Sequence, residues 1–308
     1  MYPSLTLAYL TCRRECRIEW WWDAVWRQVV EHNLPTPKII VVDFYQAERT
    51  GPPWEQIRNS INARHIPPKP TVWQGPHRLT KENWFAASNQ RNTALCLCDT
   101  EYLCYCDDLS IPMPQWLVNV YQATRFPGVT LGAYQKVKKL VVEAGRAISY
   151  EEFPGGRDSR WGHGSPNGAV PIGGEYMFGC SVVAPTEAYL RVGGWPEFVD
   201  GMSFEDVLMG LAMQNCGLRF QYNRNQLTIE SEELHHTEPS FKRSDYGQSP
   251  HDKSHAALNM VKGGCCYFPN FYEGGIRKMR EEVLAGKPFP VVQNPQHEWF
   301  TKTPLTDL

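Results

Sequence analysis

Short apolar runs alternate with helix-period segments in the first third of this chain, and this alternation strongly constrains its fold. Residues 4–11 (SLTLAYLT), 38–44 (KIIVVDF) and 101–106 (EYLCYC) are rich in β-forming side chains and predict three strands. Residues 16–31 carry apolar side chains at helical spacing, and residues 81–98 are also predicted to be helical. Wholly apolar strands suit a parallel sheet with helices on both faces. The sequence therefore predicts a doubly wound α/β domain that binds its ligand beyond the carboxyl ends of the strands.

The pattern is weaker in the rest of the chain. Residues 50–80 are rich in proline and lack a clear period, which predicts a long surface excursion. Residues 152–174 are dense in glycine, which predicts a mobile loop over a site. Further strands are expected within residues 128–142, 175–184, 218–222 and 226–230, and further helices within residues 112–121, 186–192, 254–261 and 275–284.

Composition narrows the class of protein. With 308 residues, 42% of them hydrophobic, the chain can bury the core of one large domain and still carry an extension. Its formal net charge of -2 gives no sign of a general polyanion-binding surface. Neither a secretory signal nor an apolar run long enough to span a bilayer is apparent in the sequence. A cytoplasmic protein is therefore expected.

The ten cysteines are expected to be reduced. None of them shows the paired CxxC spacing of a structural zinc site. Cys104 and Cys106 are two residues apart on a predicted strand and so face the same side. Small buried hydrophobic side chains in a reducing compartment are favoured over disulfides.

A glycine turn followed by two acids is the strongest candidate for catalytic chemistry. Residues 193–197 (GGWPE) lead through a short loop to Glu205 and Asp206, which open an apolar run of helical period. The helix dipole favours carboxylates in a first turn. That position also holds a carboxylate at the mouth of a cleft, where a general base must lie. An isolated pair of this kind would simply cap a helix.

This acidic pair has companions in the sequence. Asp107 and Asp108 end a strand-like run upstream, and His235 and His236 follow the last predicted strand of the α/β pattern. Carboxylate oxygens suit hard divalent cations such as magnesium and manganese. Histidine is a common metal ligand as well, although a lone histidine is more often structural.

Taken with residues 88–95 (SNQRNTAL), these motifs resemble the GT-A glycosyltransferases, in particular the family 2 inverting enzymes and the galactosyltransferase C-terminal pattern. The resemblance implies a GT-A domain over residues 1–237, with a mixed, mainly parallel Rossmann-like sheet flanked by helices. Residues 238–308 are then expected to form a C-terminal extension packed on or near the active site. The implied activity is the metal-dependent, inverting transfer of a hexosyl or N-acetylhexosaminyl group from a UDP-sugar to an acceptor hydroxyl.

The resemblance also implies roles for the acids. Asp206 would be the general base, and Glu205 would orient the acceptor or the start of the helix. Asp107 would contact the ribose, and Asp108 would bind Mn²⁺ or Mg²⁺. Many members of the family carry a further acid at the position of Leu109, so the division of labour between the two aspartates stays open.

Further positions are assigned to the donor pocket by the same resemblance. Thr11 and Asp43, at the ends of the first two strands, would border the nucleobase. A glycine allows close approach to a donor, and a tryptophan face can either stack on a sugar or belong to the core. The remaining candidates are Arg91 and Asn92 on the nucleotide pocket, Gly174, Glu175 and Trp195 near the donor, and His235 or His236 on the metal or diphosphate.

Three alternatives remain open at this stage. The first is a catalytically silent protein that binds a nucleotide sugar, and the second is a retaining transferase of the same fold. The third is a metal-dependent phosphohydrolase that uses the aspartates and histidines. The sequence leaves the donor sugar and the oligomeric state open, and the acceptor could be a glycan, a lipid-linked saccharide, a protein or a modified nucleic acid.

Overall fold

The computed structural model describes residues 2–71, 86–199, 204–235, 258–268, 272 and 274–290, without the side chains of Phe198 and His235. The strands are β1 Leu5–Thr11, β2 Lys38–Asp43, β3 Ala63–Ile66, β4 Tyr102–Asp107, β5 Ser110–Pro112, β6 Val129–Glu143, β7 Arg146–Arg157, β8 Val170–Ile172, β9 Val182–Pro185 and β10 Phe220–Ser231. The helices are α1 Ile18–Glu31, α2 Pro52–Asn59, α3 Ala87–Leu97, α4 Trp116–Ala123, α5 Thr186–Arg191, α6 Glu205–Asn215, α7 Glu232–His235, a short turn at 258–262 and the C-terminal helix Gly275–Leu284.

One mixed sheet in the order β3-β2-β1-β4-β9-β6-β10-β5 runs through the described part of the chain, with β7 added to β6 and β8 to β10. The strands β3, β2, β1 and β4 are parallel to one another. β9 is antiparallel to both β4 and β6 and so joins this parallel half to the β6–β10 pair. The predicted α/β class and the mixed sheet are confirmed.

Helices cover both faces of the parallel half, which explains why its strands are apolar along their whole length. All seven residues of β1 are buried. Alternate side chains of β1 enter two separate cores: Leu10 packs in the core that includes α6, and Tyr9 packs in the core that includes α1 and α4. Strands with two buried faces read as continuous apolar runs, because neither face meets water.

The prediction for residues 50–80 was wrong in its first half. In place of an irregular excursion the chain forms α2 and the edge strand β3, which pairs with β2. Trp54 and Ile57 lie three residues apart on α2 and are both buried, so the helix has a genuine apolar face. The ring of His65 on β3 stacks on Trp54 at 4.7 Å. The proline-rich composition hid this short amphipathic unit, and residues 72–80 lie outside the described part.

The loop predicted for the glycine-dense segment 152–174 was wrong for its first part. Its first residues complete β7, which pairs antiparallel with β6. Gly155 has a φ of 77°, and a Cβ on Gly156 would lie 2.2 Å from the carbonyl oxygen of Lys136. These glycines therefore allow a bulge that keeps β7 against β6, where the register shifts near Gln135 and Val137.

Some other strands begin or end at different residues from those predicted. The two late strands expected at 218–222 and 226–230 are one strand, β10, with a bulge between Asn223 and Leu227. Only the end of the strand expected at 175–184 forms, as β9, and a 3₁₀ turn at Gly174–Tyr176 precedes it. The helix expected at 275–284 forms over that range.

A buried ion pair anchors the chain after β7. Arg160, which is fully buried, donates to the carboxylate of Asp158 at 2.7 to 3.1 Å. The same guanidinium donates to the carbonyl oxygens of Gly132 at 2.8 Å and Tyr176 at 3.0 Å. The Tyr222 hydroxyl donates to Asp158 at 3.1 Å. These bonds tie the residues after β7 to β6, β10 and the turn before β9.

All ten cysteines lie within the described ranges and are free thiols. Cys104 and Cys106 are buried on the same side of β4, with their Sγ atoms 4.0 Å apart. The expectation of small buried hydrophobic side chains is thus met for this pair. Over the described ranges, none of the helices combines the length and the apolar character needed to cross a membrane.

The C-terminal helix packs against α3. Its Ile276 and Met279 are buried in the same core as α6. Arg280 donates to the carbonyl oxygen of Cys98, at the end of α3, at 2.7 Å. The last described helix is therefore part of the hydrophobic core that covers this face of the sheet.

We predict that Asp158→Asn lowers the free energy of unfolding by about 3 kcal/mol, because it leaves the buried Arg160 guanidinium without its counter-charge. Urea denaturation at neutral pH measures this loss. Glu151→Gln is the matched control, since Glu151 pairs with Lys138 at the surface. The control should denature with the wild-type midpoint, and an equal loss in both variants would contradict the prediction.

Candidate active site

The carboxyl ends of β1 and β4 and the start of α6 surround a cavity of about 350 Å³. This is the edge at which open α/β sheets bind their ligands. The side chains and backbone that line it are Leu10, Cys12, Arg13, Arg91, Asp107, Asp108, Tyr134, Lys136, Phe178, Gly179, Cys180, Glu205, Asp206 and Glu230. Five of the predicted site residues, Arg91, Asp107, Asp108, Glu205 and Asp206, are brought together here.

The two aspartates at the end of β4 face this cavity, and the leucine after them does not. Leu109 is fully buried and has a φ of 56°, a left-handed conformation that is unfavourable for a residue with a Cβ. Its N–H donates to the Cys16 carbonyl at 3.2 Å, and its carbonyl accepts from the Ser231 N–H at 3.2 Å. Surrounding structure thus holds a strained turn that directs Asp107 and Asp108 outward, as is common at functional sites.

Asp108 is held by residues of the β1–α1 connection. The hydroxyl of Thr11 donates to Asp108 Oδ2 at 2.7 Å, and Arg13 Nε lies 3.5 Å from Oδ1. Burial raises the pKa of Asp108 to about 6, with Arg13 opposing the rise and Asp107 adding to it. The side chain of Thr11 therefore supports Asp108, and Thr11 is itself buried.

Asp43 is fully buried at the end of β2, and four hydrogen-bond donors surround its carboxylate. They are the Tyr45 N–H at 2.9 Å, Arg49 Nε at 2.8 Å, a terminal nitrogen of Arg49 at 3.1 Å and His65 Nε2 at 3.0 Å. Burial alone would raise the pKa of Asp43, but the bonds from His65 and Arg49 outweigh it and lower that pKa. The carboxylate is thus occupied by protein donors and does not line the cavity.

Arg91 of α3 links the two acidic motifs. One terminal nitrogen lies 3.0 Å from Glu205 Oε1, and the other lies 4.0 Å from Asp107 Oδ1. The guanidinium stacks on Trp195 at 4.4 Å from the ring centroid. A Cβ on Gly179 would lie 1.8 Å from an Arg91 nitrogen, so only glycine leaves room for this side chain.

Asp206 lies in the first turn of α6 with both carboxylate oxygens bound to backbone. Oδ1 accepts from the Val207 N–H at 2.8 Å, and Oδ2 accepts from the Gly179 N–H at 3.3 Å. Burial, followed by the neighbouring Glu205, raises the pKa of Asp206 to about 7, while Arg91 lowers it. A carboxylate with this pKa is suited to accept a proton near neutral pH.

A close glycine contact positions the helix that carries Asp206. A Cβ on Gly174 would lie 2.3 Å from the carbonyl oxygen of Gly210, and a Cβ on Gly210 would lie 2.0 Å from that of Gly174. The Gly174 N–H also donates to Gln214 Oε1 at 2.6 Å. Gly174 is thus in contact with α6, and Glu175 is exposed beside it without lining the cavity.

Asn92 and Trp195 are both fully buried beneath the cavity. The Trp195 N–H donates to Asn92 Oδ1 at 2.8 Å, and Asn92 Nδ2 donates to the Trp195 carbonyl at 2.9 Å. The Trp195 ring packs edge-on against Tyr105 at 5.3 Å. Trp195 was expected either to stack on a sugar or to belong to the core, and in the structure it is a core residue.

Sequence reasoning missed nine of the fourteen residues that line the cavity. Tyr134, Lys136 and Glu230 come from β6 and β10, and Phe178 comes from the segment before β9. Burial raises the pKa of Glu230 to about 8, Lys136 opposes the rise, and the two aspartates at 107 and 108 add to it. Glu230 is an acid at the end of a predicted strand, which is the position that also drew attention to Asp107.

The acidic residues of the cavity fit a hard divalent cation in part. Carboxylate oxygens are the preferred protein ligands of magnesium, which takes one or two of them together with substrate phosphates. Burial raises the pKa values of Asp107, Asp108 and Glu230, and neighbouring carboxylates add to each rise, so a cation in the cavity would offset an excess of negative charge. Among the described side chains, however, no group of three or more acidic, histidine or cysteine residues is arranged to hold a metal alone. The side chains of His235 and His236 lie outside the described part.

We predict that Glu230→Gln becomes progressively more stable than the wild type as the pH rises from about 5 to about 8. The folded protein holds the Glu230 proton to about pH 8, whereas the unfolded chain releases it near its ordinary pKa, so wild-type stability falls over this interval. Urea denaturation of both proteins at several pH values gives the difference. A difference that is constant with pH would contradict this account.

The sequence matches no family model, and a search of curated proteins finds no similar sequence. Solved structures are similar in fold. S. aureus TarS residues 1–349 in complex with UDP has a TM-score of 0.54 at 12% identity, over 99% of this chain and 76% of that chain. The same protein with UDP-GlcNAc has a TM-score of 0.55 at 12% identity, over 99% and 77%.

GalNAc-T7 with UDP, GalNAc and Mn²⁺ has a TM-score of 0.55 at 11% identity, and the match covers 85% of this chain and 50% of that chain. Both proteins are GT-A glycosyltransferases. At such low identity the likeness concerns the fold, and the resemblance inferred from the motifs is confirmed at that level. This chain has the GT-A fold.

Proposed function

We propose that this protein is a glycosyltransferase that moves a sugar from a UDP-sugar to an acceptor hydroxyl. The observation that carries the proposal is one cavity in which Arg91 joins Asp107, from the strand motif, to Glu205, beside Asp206 in the helix motif. The GT-A fold and the UDP and UDP-GlcNAc in similar structures support the choice of donor. The transferred group is proposed to be a hexosyl or an N-acetylhexosaminyl group.

The leaving diphosphate needs positive charge, and the cavity wall offers three cationic side chains, Arg13, Arg91 and Lys136. Asp107 is assigned to the ribose and Asp108 to a divalent cation, with His235 or His236 as a further ligand. A bound Mn²⁺ or Mg²⁺ would act as a Lewis acid that neutralises charge on the diphosphate.

Asp206 is assigned as the general base. It takes the proton of the acceptor hydroxyl while the acceptor oxygen forms a bond to the anomeric carbon, and the bond from that carbon to the diphosphate oxygen breaks as UDP leaves. Attack in line with the leaving group inverts the anomeric carbon. Glu205, which Arg91 holds at 3.0 Å, orients the acceptor or the start of α6.

Thr11, Asp43, Asn92, Gly174, Glu175 and Trp195 were all expected at the donor, and we now propose mainly indirect roles for them. Thr11 supports Asp108, and Asp43 holds Arg49 at the end of β2, where the nucleobase is expected. Because Thr11 and Asp43 lie at the ends of β1 and β2, they fix the backbone at this edge of the sheet, where the nucleobase would bind. Asn92, Gly174 and Trp195 are buried and support Arg91 and α6, whereas Glu175 is exposed and keeps its proposed place near the donor.

We predict that Asp206→Asn lowers kcat by about 100-fold or more while leaving UDP affinity nearly unchanged, because the base acts on the acceptor and not on the nucleotide. In the wild type, kcat should rise with pH through about 7, as Asp206 loses its proton. Initial rates of UDP release with a panel of UDP-sugars and acceptors measure both effects.

Asp99→Asn is the matched control for this variant, because Asp99 pairs with Lys38 on the surface at 2.5 Å. Retention of most transfer activity by folded Asp206→Asn would remove Asp206 as the base. Retained stereochemistry at the anomeric carbon of the product would favour the retaining alternative. Phosphate release without sugar transfer would favour a phosphohydrolase, and binding without turnover would favour a silent protein.

We predict that UDP with Mn²⁺ raises the melting temperature by about 5 °C at a UDP concentration of about 100 Kd, since a ligand that binds only the folded state stabilises it. The shift should shrink without Mn²⁺ and in Asp108→Asn, and should persist in Asp99→Asn. GDP, CMP and dTDP are the comparison nucleotides. A shift that is independent of both Mn²⁺ and Asp108 would contradict the assigned cation site.

A further inference from the structure

A buried ion pair connects the glycine-tryptophan turn to segments far away in the sequence. Lys69 Nζ lies 2.6 Å from Glu197 Oε1, and each side chain is only 1% exposed. Neither residue lines the cavity. We call Lys69, Asn92, Glu197 and Tyr272 the Glu197 cluster.

Each oxygen of the Glu197 carboxylate has a further donor. Asn92 Nδ2 donates to Oε1 at 2.7 Å, and the Tyr272 hydroxyl donates to Oε2 at 3.1 Å. The Tyr272 hydroxyl also contacts Lys69 Nζ and lies 3.2 Å from the carbonyl oxygen of Pro70. The cluster therefore joins α3, the turn at 193–197, the segment before α3 and the C-terminal segment.

The cluster is connected to the acidic motif by two routes. Along the chain, Glu197 lies eight residues before Glu205, which is in the first turn of α6. Through side chains, Asn92 holds the Trp195 backbone with two hydrogen bonds, and Arg91 stacks on the Trp195 ring at 4.4 Å. Arg91 in turn lies 3.0 Å from Glu205.

Stability alone is a weak explanation for this arrangement. A buried ion pair contributes little more than apolar side chains of similar volume would, because both charges lose their hydration. What such a pair does supply is a defined position for each partner, since a displaced charge in the core has no alternative partner. The backbone of the turn is therefore held by interactions that tolerate little displacement.

The C-terminal segment takes part in the same arrangement. Tyr272 belongs to that segment, and Ile276 of the C-terminal helix lies so close to Gly194 that a Cβ there would be 3.2 Å from it. Gly193 and Gly194 both have a φ of 82°, so a residue with a Cβ at either position would strain the turn. The turn is thus enclosed by α3 on one side and the C-terminal segment on the other.

We propose that Glu197 is a positioning residue for the sugar-transfer step, and that Tyr272 makes the C-terminal segment a working part of the active site. The inference rests on the proposed function. The Glu197 cluster fixes the position of the turn, of Arg91 and of the Glu205–Asp206 pair relative to Asp107 and Asp108. Its loss should therefore lower kcat more than it weakens the binding of UDP.

The first test uses charge rescue. Glu197→Gln leaves the Lys69 ammonium buried without a counter-charge, whereas the double variant Lys69→Met/Glu197→Gln removes both charges and keeps the amide hydrogen-bonding group. We expect kcat to fall about tenfold or more in the single variant, since small displacements of catalytic groups have large effects on rate. KM for the donor should change by less than about twofold, and the double variant should recover most of kcat.

The second test needs no change of charge. Tyr272→Phe removes one hydroxyl from the cluster, and Tyr121→Phe is its matched control, because the Tyr121 hydroxyl donates to the Pro35 carbonyl at 2.7 Å in the other core. We expect Tyr272→Phe to lower kcat about threefold or more at unchanged KM, and Tyr121→Phe to leave kcat unchanged. This pair of variants tests the positioning role of the cluster even if Glu197→Gln does not fold.

Three results would overturn the inference. One is unchanged kcat in both folded Glu197→Gln and Tyr272→Phe, and another is an equal loss of kcat in Tyr272→Phe and Tyr121→Phe. The third is a double variant no more active than the single one. If the wild type turns over a UDP-sugar, such results reject the positioning role alone. A wild type that turns over none of the UDP-sugars would reject the proposed function, and the inference with it.

Discussion

The site depends on one buried cation, the guanidinium of Arg91. Four carboxylates from two motifs line a single cavity, and like charges in a partly desolvated space repel one another strongly. Arg91 lies 3.0 Å from Glu205 and 4.0 Å from Asp107, so it offsets charge on both motifs at once. Trp195 beneath it and the missing Cβ of Gly179 beside it define where the guanidinium can lie. The geometry of the two acidic motifs therefore follows from the packing around one side chain.

Arg91 does not neutralise the cavity, and the remaining charge is visible in the pKa values. Those of Asp108, Asp206 and Glu230 are raised to about 6, 7 and 8, in each case chiefly by burial. Each raised pKa means that the folded state is less stable at neutral pH than it would be if the carboxyl group kept its ordinary pKa. A fold gains no stability from such groups, whereas a site that binds a cation or accepts a proton uses buried carboxyl groups of this kind. Strain of this kind is typical of functional sites.

Much of the site was predictable because strand ends and helix starts are encoded locally. The acids at 107, 108, 205 and 206 lie where their motifs predicted, since the carboxyl ends of parallel strands meet at one edge. The direction of individual side chains was less predictable. Trp195 and Gly174 belong to the expected motifs, yet one is in the core and the other contacts α6. A motif specifies which residues are near a site, but the packing of neighbours decides which of them face it.

The α/β class, the main elements of the parallel half and the place of the acidic motifs can be read from the sequence, because they depend on local periodicity and on residues adjacent along the chain. The rest of the site follows from how the strands and helices pack together. Tyr134, Lys136 and Glu230 reach the cavity because β9 lies antiparallel between β4 and β6, and brings the β6–β10 pair to the same edge. Tyr272 reaches Glu197 because the C-terminal segment packs against α3. Such contacts join residues that are distant along the chain, so they arise from the packing of the whole core and leave no local pattern to read.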